Sequence, residues 1–131
     1  ERISYRVNIE ARENGTPVTE GTVRIRVAGQ VEHTASEGDG PVNALDGALR
    51  KCLRDHYPQI NQIHLTDFKV RVVNPTAESA AKVRVIAEFS AREEGGRSRL
   101  FSTIGVDENI VNASWQAIAD AFAYHLLETR A

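Results

Sequence analysis

Methionine is absent from this sequence, and cysteine and tryptophan occur once each, as Cys52 and Trp115. A single cysteine excludes an internal disulfide and fits a reducing, cytoplasmic compartment. The missing methionine, with Glu1 at the start, points to a fragment of a larger protein. Charge of one sign is missing too: 16 Lys and Arg stand against 18 Asp and Glu, interspersed, for a net charge of −2. That balance gives no basic footprint for nucleic acid or for an anionic membrane surface. No apolar run approaches the ~20 residues of a bilayer span. The polar, alternating start Glu1-Arg2-Ile3-Ser4-Tyr5 is unlike a signal peptide. Neither nucleic acid nor membrane is therefore an expected partner.

Catalytic signatures are also absent. His33, His56, His64 and His125 form no His-x-His or His-x-x-x-His pair, and no Asp/Glu cluster joins them at metal-ligand spacing. Each reads as a surface or helix-face residue. No nucleophile elbow, phosphate loop or dinucleotide fingerprint occurs. Cys52 falls on an apolar helical stripe, a poor place for a reactive thiolate. Asp39 reads as a cap and Asp46 as the solvent face of a helix.

What is present is one ordinary globular domain of 131 residues, 41% hydrophobic and 26% charged. It is organised around Gly38-Asp39-Gly40-Pro41-Val42-Asn43-Ala44-Leu45-Asp46-Gly47-Ala48-Leu49. Two glycines end an extended segment, and Pro41 suits a first helical position, where its missing N–H has no intrahelical partner. Gly40 or Asp39 serves as N-cap. An exposed helix start that a ligand can approach closely attracts carboxylates and phosphates, although its plain role is a well-made cap.

In chain order, residues 3–11 alternate as a half-buried strand, with Ile3, Tyr5, Val7, Ile9 and Ala11 on one face. Glu13-Asn14-Gly15-Thr16-Pro17 is a turn or loop, and a second strand runs from about Gly21. Ala28-Gly29-Gln30 is a hairpin connection to a third strand, Val31 to Ser36. A helix follows with Val42, Leu45, Leu49, Cys52, Leu53 and His56 on one stripe, ended by Tyr57-Pro58. The order then repeats. Leu65 to Val73 is a strand, Asn74-Pro75-Thr76 a turn, Ala81 to Phe89 a strand, Arg92 to Gly96 a hairpin loop and Arg99 to Ile104 a strand. Gly105-Val106-Asp107-Glu108-Asn109 starts a second helix with Asp107 as N-cap, and Val111, Trp115, Ile118, Phe122 and Leu126 form its stripe.

The chain thus reads as α+β, two strand-strand-strand-helix units over 1–60 and 61–131, expected to pack about a pseudo-two-fold axis. Such small sheets with one helix each bury only part of their apolar faces, which favours the halves packing together or a homodimer, the latter being the expectation. The alanines of the second helix (Ala113, Ala117, Ala121) supply either an association surface or intramolecular core.

Four blocks resemble a known family, in its order and spacing and over nearly the whole chain. They are Glu37 to Lys51, Leu65 to Val72, Ser79 to Val85 and Thr103 to Ala117. The family is that of the C-terminal regulatory domains of 2-isopropylmalate and citramalate synthases. The resemblance implies an allosteric domain that follows a metal-dependent acyltransferase barrel and a linker subdomain. The parent enzymes condense acetyl-CoA with a 2-oxo acid at the head of branched-chain amino-acid synthesis. It also implies dimerisation, an end-product amino acid bound near the dimer interface, and no cofactor or turnover in this fragment; the divalent metal belongs to the barrel.

The phrases Asp-Phe-Lys-Val-Arg-Val and Glu-Asn-Ile-Val-Asn-Ala-Ser-Trp-Gln-Ala look most like the citramalate synthase branch, which implies isoleucine as effector, with leucine the alternative. Two departures stand out: Phe68 replaces a familiar tyrosine, and Glu78-Ser79 a usual Gly-Thr. The first removes a hydroxyl that could bond an effector. Carried over by position, the effector site comprises Gly38, Asp39, Gly40, Val42 and Asn43, then Leu65, Phe68 and Val72, then Ser79, Ala81 and Val83, and finally Glu108 and Ile110. The apolar members suit a branched side chain, both helix starts suit a carboxylate, and Glu108 or Asn43 suits an ammonium. The rival readings are a structural dimerisation module without effector and a small stand-alone enzyme.

Overall fold

The computed structural model describes residues 3–11, 17–73, 81–92 and 96–129. The turn expected at Asn74-Pro75-Thr76, most of the loop expected at 13–17 and residues 93–95 of the hairpin loop lie outside them. The chain divides into two compact units, residues 1–60 and 61–131. Each is an antiparallel three-stranded sheet followed by a helix, so the fold is α+β with a repeated unit.

In the first unit β1 (Ile3–Ala11), β2 (Pro17–Val27) and β3 (Gln30–Gly38) lie in sequence order, and α1 (Pro41–Leu53) packs on β2 and β3. Alternation decides which side faces the helix. Val23, Ile25 and Val27 of β2 are buried, as are Val42, Ala44, Leu45, Ala48, Leu49, Cys52 and Leu53 of α1. The β2–β3 turn is Ala28-Gly29, both at positive φ (49° and 82°), the backbone of a two-residue hairpin turn whose twist matches the strands. β2 starts four residues before the expected Gly21. That glycine lies inside the strand because α1 crosses over it: a Cβ there would stand 2.8 Å from the Ala44 carbonyl carbon. The helix stops at Leu53, before the expected Tyr57-Pro58, and His56 leaves the stripe to place Nε2 2.9 Å from Glu32 Oε2 on β3. A 3-10 turn over Pro58–Gln62 follows, and its Ile60 carbonyl accepts a bond from Arg50 at 2.9 Å.

The second unit repeats this with β4 (Ile63–Val73), β5 (Lys82–Arg92), β6 (Ser98–Asp107) and α2 (Ile110–Glu128). A register shift between Leu65 and Asp67 keeps Leu65 opposite Phe89 and Phe68 opposite Ala87 on the helix side. Phe89 is fully buried, stacked on Phe101 at 5.6 Å and edge-on to Phe122 at 6.2 Å. Here β6 overturns an expectation. Gly105 does not start a helix but stays in the strand, which runs on to Asp107. A Cβ on Gly105 would collide with the Ala113 carbonyl, so this glycine lets α2 lie close on its sheet. The same closeness settles the role of the alanines. Ala113, Ala117 and Ala121 are buried, and the Thr103 hydroxyl donates to the Ala117 carbonyl at 2.7 Å. They are core of their own unit rather than an association surface.

Candidate functional site

The start of α1 is built from the turn that dominated the sequence. β3 ends at Gly38, two residues bend, and Pro41 takes the first helical position. Gly38 is held to glycine by proximity, since a Cβ would stand 2.6 Å from Ala44 N. Gly40 is the N-cap in extended geometry (φ −168°), and a Cβ there would meet nothing within 4 Å. No side chain caps this helix, so Asp39 does not fill the role expected of it. Ala44 N donates back to the Gly40 carbonyl at 3.0 Å, and the earlier N–H groups carry the positive end of the helix dipole. Asn43 is half-buried beside this end, and Val42 is buried in the core beneath it.

The start of α2 is the same backbone element, closed. Asn109, not Asp107, is the N-cap: its Oδ1 accepts from Val111 N at 2.7 Å and from Asn112 N at 3.2 Å. Asp107 Oδ2 accepts from Asn109 N at 2.8 Å and from Asn112 Nδ2 at 3.2 Å, which locks the cap in place. Asn109 wins because it, not Asp107, directly precedes the first helical turn once β6 extends through Asp107. The two starts correspond at a spacing of 69 residues. Thr34 bonds the Ala48 carbonyl as Thr103 bonds that of Ala117, and Val42-Asn43-Ala44 recurs as Val111-Asn112-Ala113. On that correspondence Gly38 and Gly40 stand where Asp107 and Asn109 stand. The first unit therefore lacks both side chains that satisfy the helix start of the second. The repeated Val-Asn-Ala triplet is the signal in the sequence for this pair, one that strand alternation does not register.

The remaining candidates sit in the second unit. α2 covers β5 and β6 and hardly reaches β4. The helix-side row of β4 is left bare: Leu65 and Phe68 are half-buried, and Val72 is 70% exposed. Val72 pairs with Val83, and Val83 with Asp107, so these three form one cross-strand row beside the α2 start, where Glu108 and Ile110 are both exposed. Leu65 lies seven residues up the strand from Val72, roughly 20 Å at ~3.3 Å per residue. A single amino acid cannot touch both. Ala81 precedes β5 and is exposed, and Ser79 lies outside the described residues.

Burial pushes the Cys52 thiol up, against the opposing bond from Thr34, and so keeps it a thiol. Among the described residues no group of three or more His, Cys, Asp or Glu could hold a metal ion. No helix among them is long and apolar enough to cross a membrane.

Comparison with known proteins matches these features to a family. The chain is 45% identical over 126 residues to an (R)-citramalate synthase of Aquifex aeolicus and 45% identical over 125 residues to one of Geobacter sulfurreducens. A 2-isopropylmalate synthase of Aquifex aeolicus is 28% identical over 113 residues. The alignment takes in 95% of this chain for the first two, but only 23% of their length, so the chain spans about a quarter of those relatives. Residues 3–126 match the LeuA allosteric (dimerisation) domain, and the chain belongs to that family.

Proposed function

We propose that this chain is the effector-binding, homodimerising regulatory domain of a cytoplasmic (R)-citramalate synthase, with isoleucine as feedback inhibitor. In that reading the parent is an acyltransferase that joins acetyl-CoA to pyruvate, and its metal belongs to a catalytic barrel outside this chain. The branch is supported by two relatives from one organism, where the citramalate synthase is 45% identical and the 2-isopropylmalate synthase 28%. The observation that carries effector binding is the contrast between the helix starts. α2 is capped by Asn109, whereas α1 presents its N–H groups behind Gly40 with no capping side chain. A carboxylate fits such an end through charge and hydrogen bonding together, and the bare apolar row of β4 offers contact to a branched side chain.

Calorimetric titration with isoleucine and leucine tests the reading, with Gly40→Asn as the decisive variant. Asparagine would cap α1 as Asn109 caps α2, in space that is open. It should raise stability by a few tenths of a kcal/mol and weaken isoleucine binding about tenfold, or ~1.4 kcal/mol. A folded Gly40→Asn protein with parental affinity removes the α1 start from the site. A parent that binds neither amino acid leaves a dimerisation module without effector.

A further inference from the structure

The outer face of the first sheet, turned away from α1, carries a second feature that is independent of the effector reading. The register places Ser4, Arg24 and His33 in one cross-strand row and Arg6, Thr22 and Ala35 in the next. Between the long side chains the small ones leave a concavity of about 320 Å³, lined by Ser4, Tyr5, Arg6, Thr22, Arg24 and His33. No carboxylate lines it. The side chains of Arg6, Arg24 and His33 have no ion pair among the described residues. Of the carboxylates of this face, Glu20 and Glu37 stand one row further on beside Asn8 and Glu10 a row beyond them opposite Val18, while Arg26 lies beyond the opposite side.

The second unit is an internal control. At its matching positions stand Asp67, Glu88 and Ser102, then Lys69, Ile86 and Ile104. Lys69 keeps the positive charge at the place of Arg6, but Glu88 and Ser102 stand where Arg24 and His33 do, so the same backbone forms without the basic cluster. Two unpaired guanidinium groups, an imidazole and two hydroxyls around one hollow are donors to a compact polyanion. Guanidinium groups bond phosphate oxygens in a bidentate manner. The hollow holds roughly ten waters at ~30 Å³ each, which is room for more than one phosphoryl group. We propose that the outer face of the first sheet binds a small diphosphate or phosphate ester between Arg6, Arg24 and His33.

The test is titration of the whole chain with sodium pyrophosphate and, separately, with ribose 5-phosphate, at ionic strength held constant with sodium chloride. His33 ring resonances are followed by NMR. Saturable movement of the His33 signals in the millimolar range or tighter is expected with at least one of the two, and the preferred one tells a diphosphate from an ester. Arg24→Gln should weaken the response about tenfold, since a charge-assisted bidentate contact is lost. Lys69→Gln, on the outer face of the other sheet, should leave it unchanged. Both side chains are exposed, so these variants should unfold at parental temperature. His33 signals that follow pyrophosphate and ribose 5-phosphate no further than sodium chloride overturn the proposal. So does an Arg24→Gln protein that titrates like the parent, or an equal loss in Lys69→Gln.

Discussion

Single atoms set the tolerances of this molecule. Gly105 and Gly40 are both glycines beside a helix, yet their surroundings are opposite. A Cβ at 105 meets the Ala113 carbonyl, which belongs to a hydrogen-bonded helix and cannot move alone, whereas a Cβ at 40 meets open space. Gly105→Ala should therefore destabilise the fold by about 1–3 kcal/mol, the usual range for overpacking, while Gly40→Ala meets no clash and costs only the poorer N-cap, about 0.5 kcal/mol. Equal melting temperatures for the two variants would refute the close approach of α2 to β6. Cys52 makes a second statement at this scale. Burial raises its thiol pKa in the folded state, so the unfolded chain loses the proton first as pH rises. The Cys52 contribution to stability is complete below the ordinary thiol range of about 8.5 and falls above it. Melting temperature should decline more steeply between pH 8 and 10 in the parent than in Cys52→Ala.

Elements add a polarity that no residue has alone. Both helices follow the third strand of a sheet and share the Val-Asn-Ala start, but only α2 is closed by Asn109 and Asp107. Asn109→Ala should cost about 1 kcal/mol and lower the melting temperature by a few degrees. The same substitution leaves isoleucine binding unchanged if the effector carboxylate uses α1. A measured loss of affinity without loss of stability would instead place the effector at α2. The strands show a parallel economy: each helix covers the second and third strands of its sheet, and the first strand keeps apolar residues in the open. Ile9 on β1 is 69% exposed and Val72 on β4 is 70% exposed.

At the scale of the whole chain, exposed apolar surface asks for company. Leu100 is 73% exposed and Ile104 55%, both on the side of the second sheet away from α2. Exposed apolar area of this kind marks association surfaces in soluble proteins, and the matching family is described as a dimerisation domain. Sedimentation should show a homodimer at tens of micromolar, and monomer alone at that concentration would count against it.

Alternation and helical spacing are local, so the sequence by itself determined the number, order and kind of elements. It placed Leu45, Leu49, Trp115, Ile118 and Phe122 on apolar helix stripes and tied the Gly38-Asp39-Gly40-Pro41 turn to a helix start. The family resemblance was legible in the same blocks. Tertiary structure alone decided where strands end, because Gly21 and Gly105 look like breakers until a helix is seen lying on them. It also decided which helix start stays open, which depends on whether β6 stops at Ile104 or runs to Asp107. Coverage was out of reach as well: Val72 and Val85 read alike along the chain, yet one is bare and the other fully buried. The difference is whether a helix distant in sequence lies across that strand.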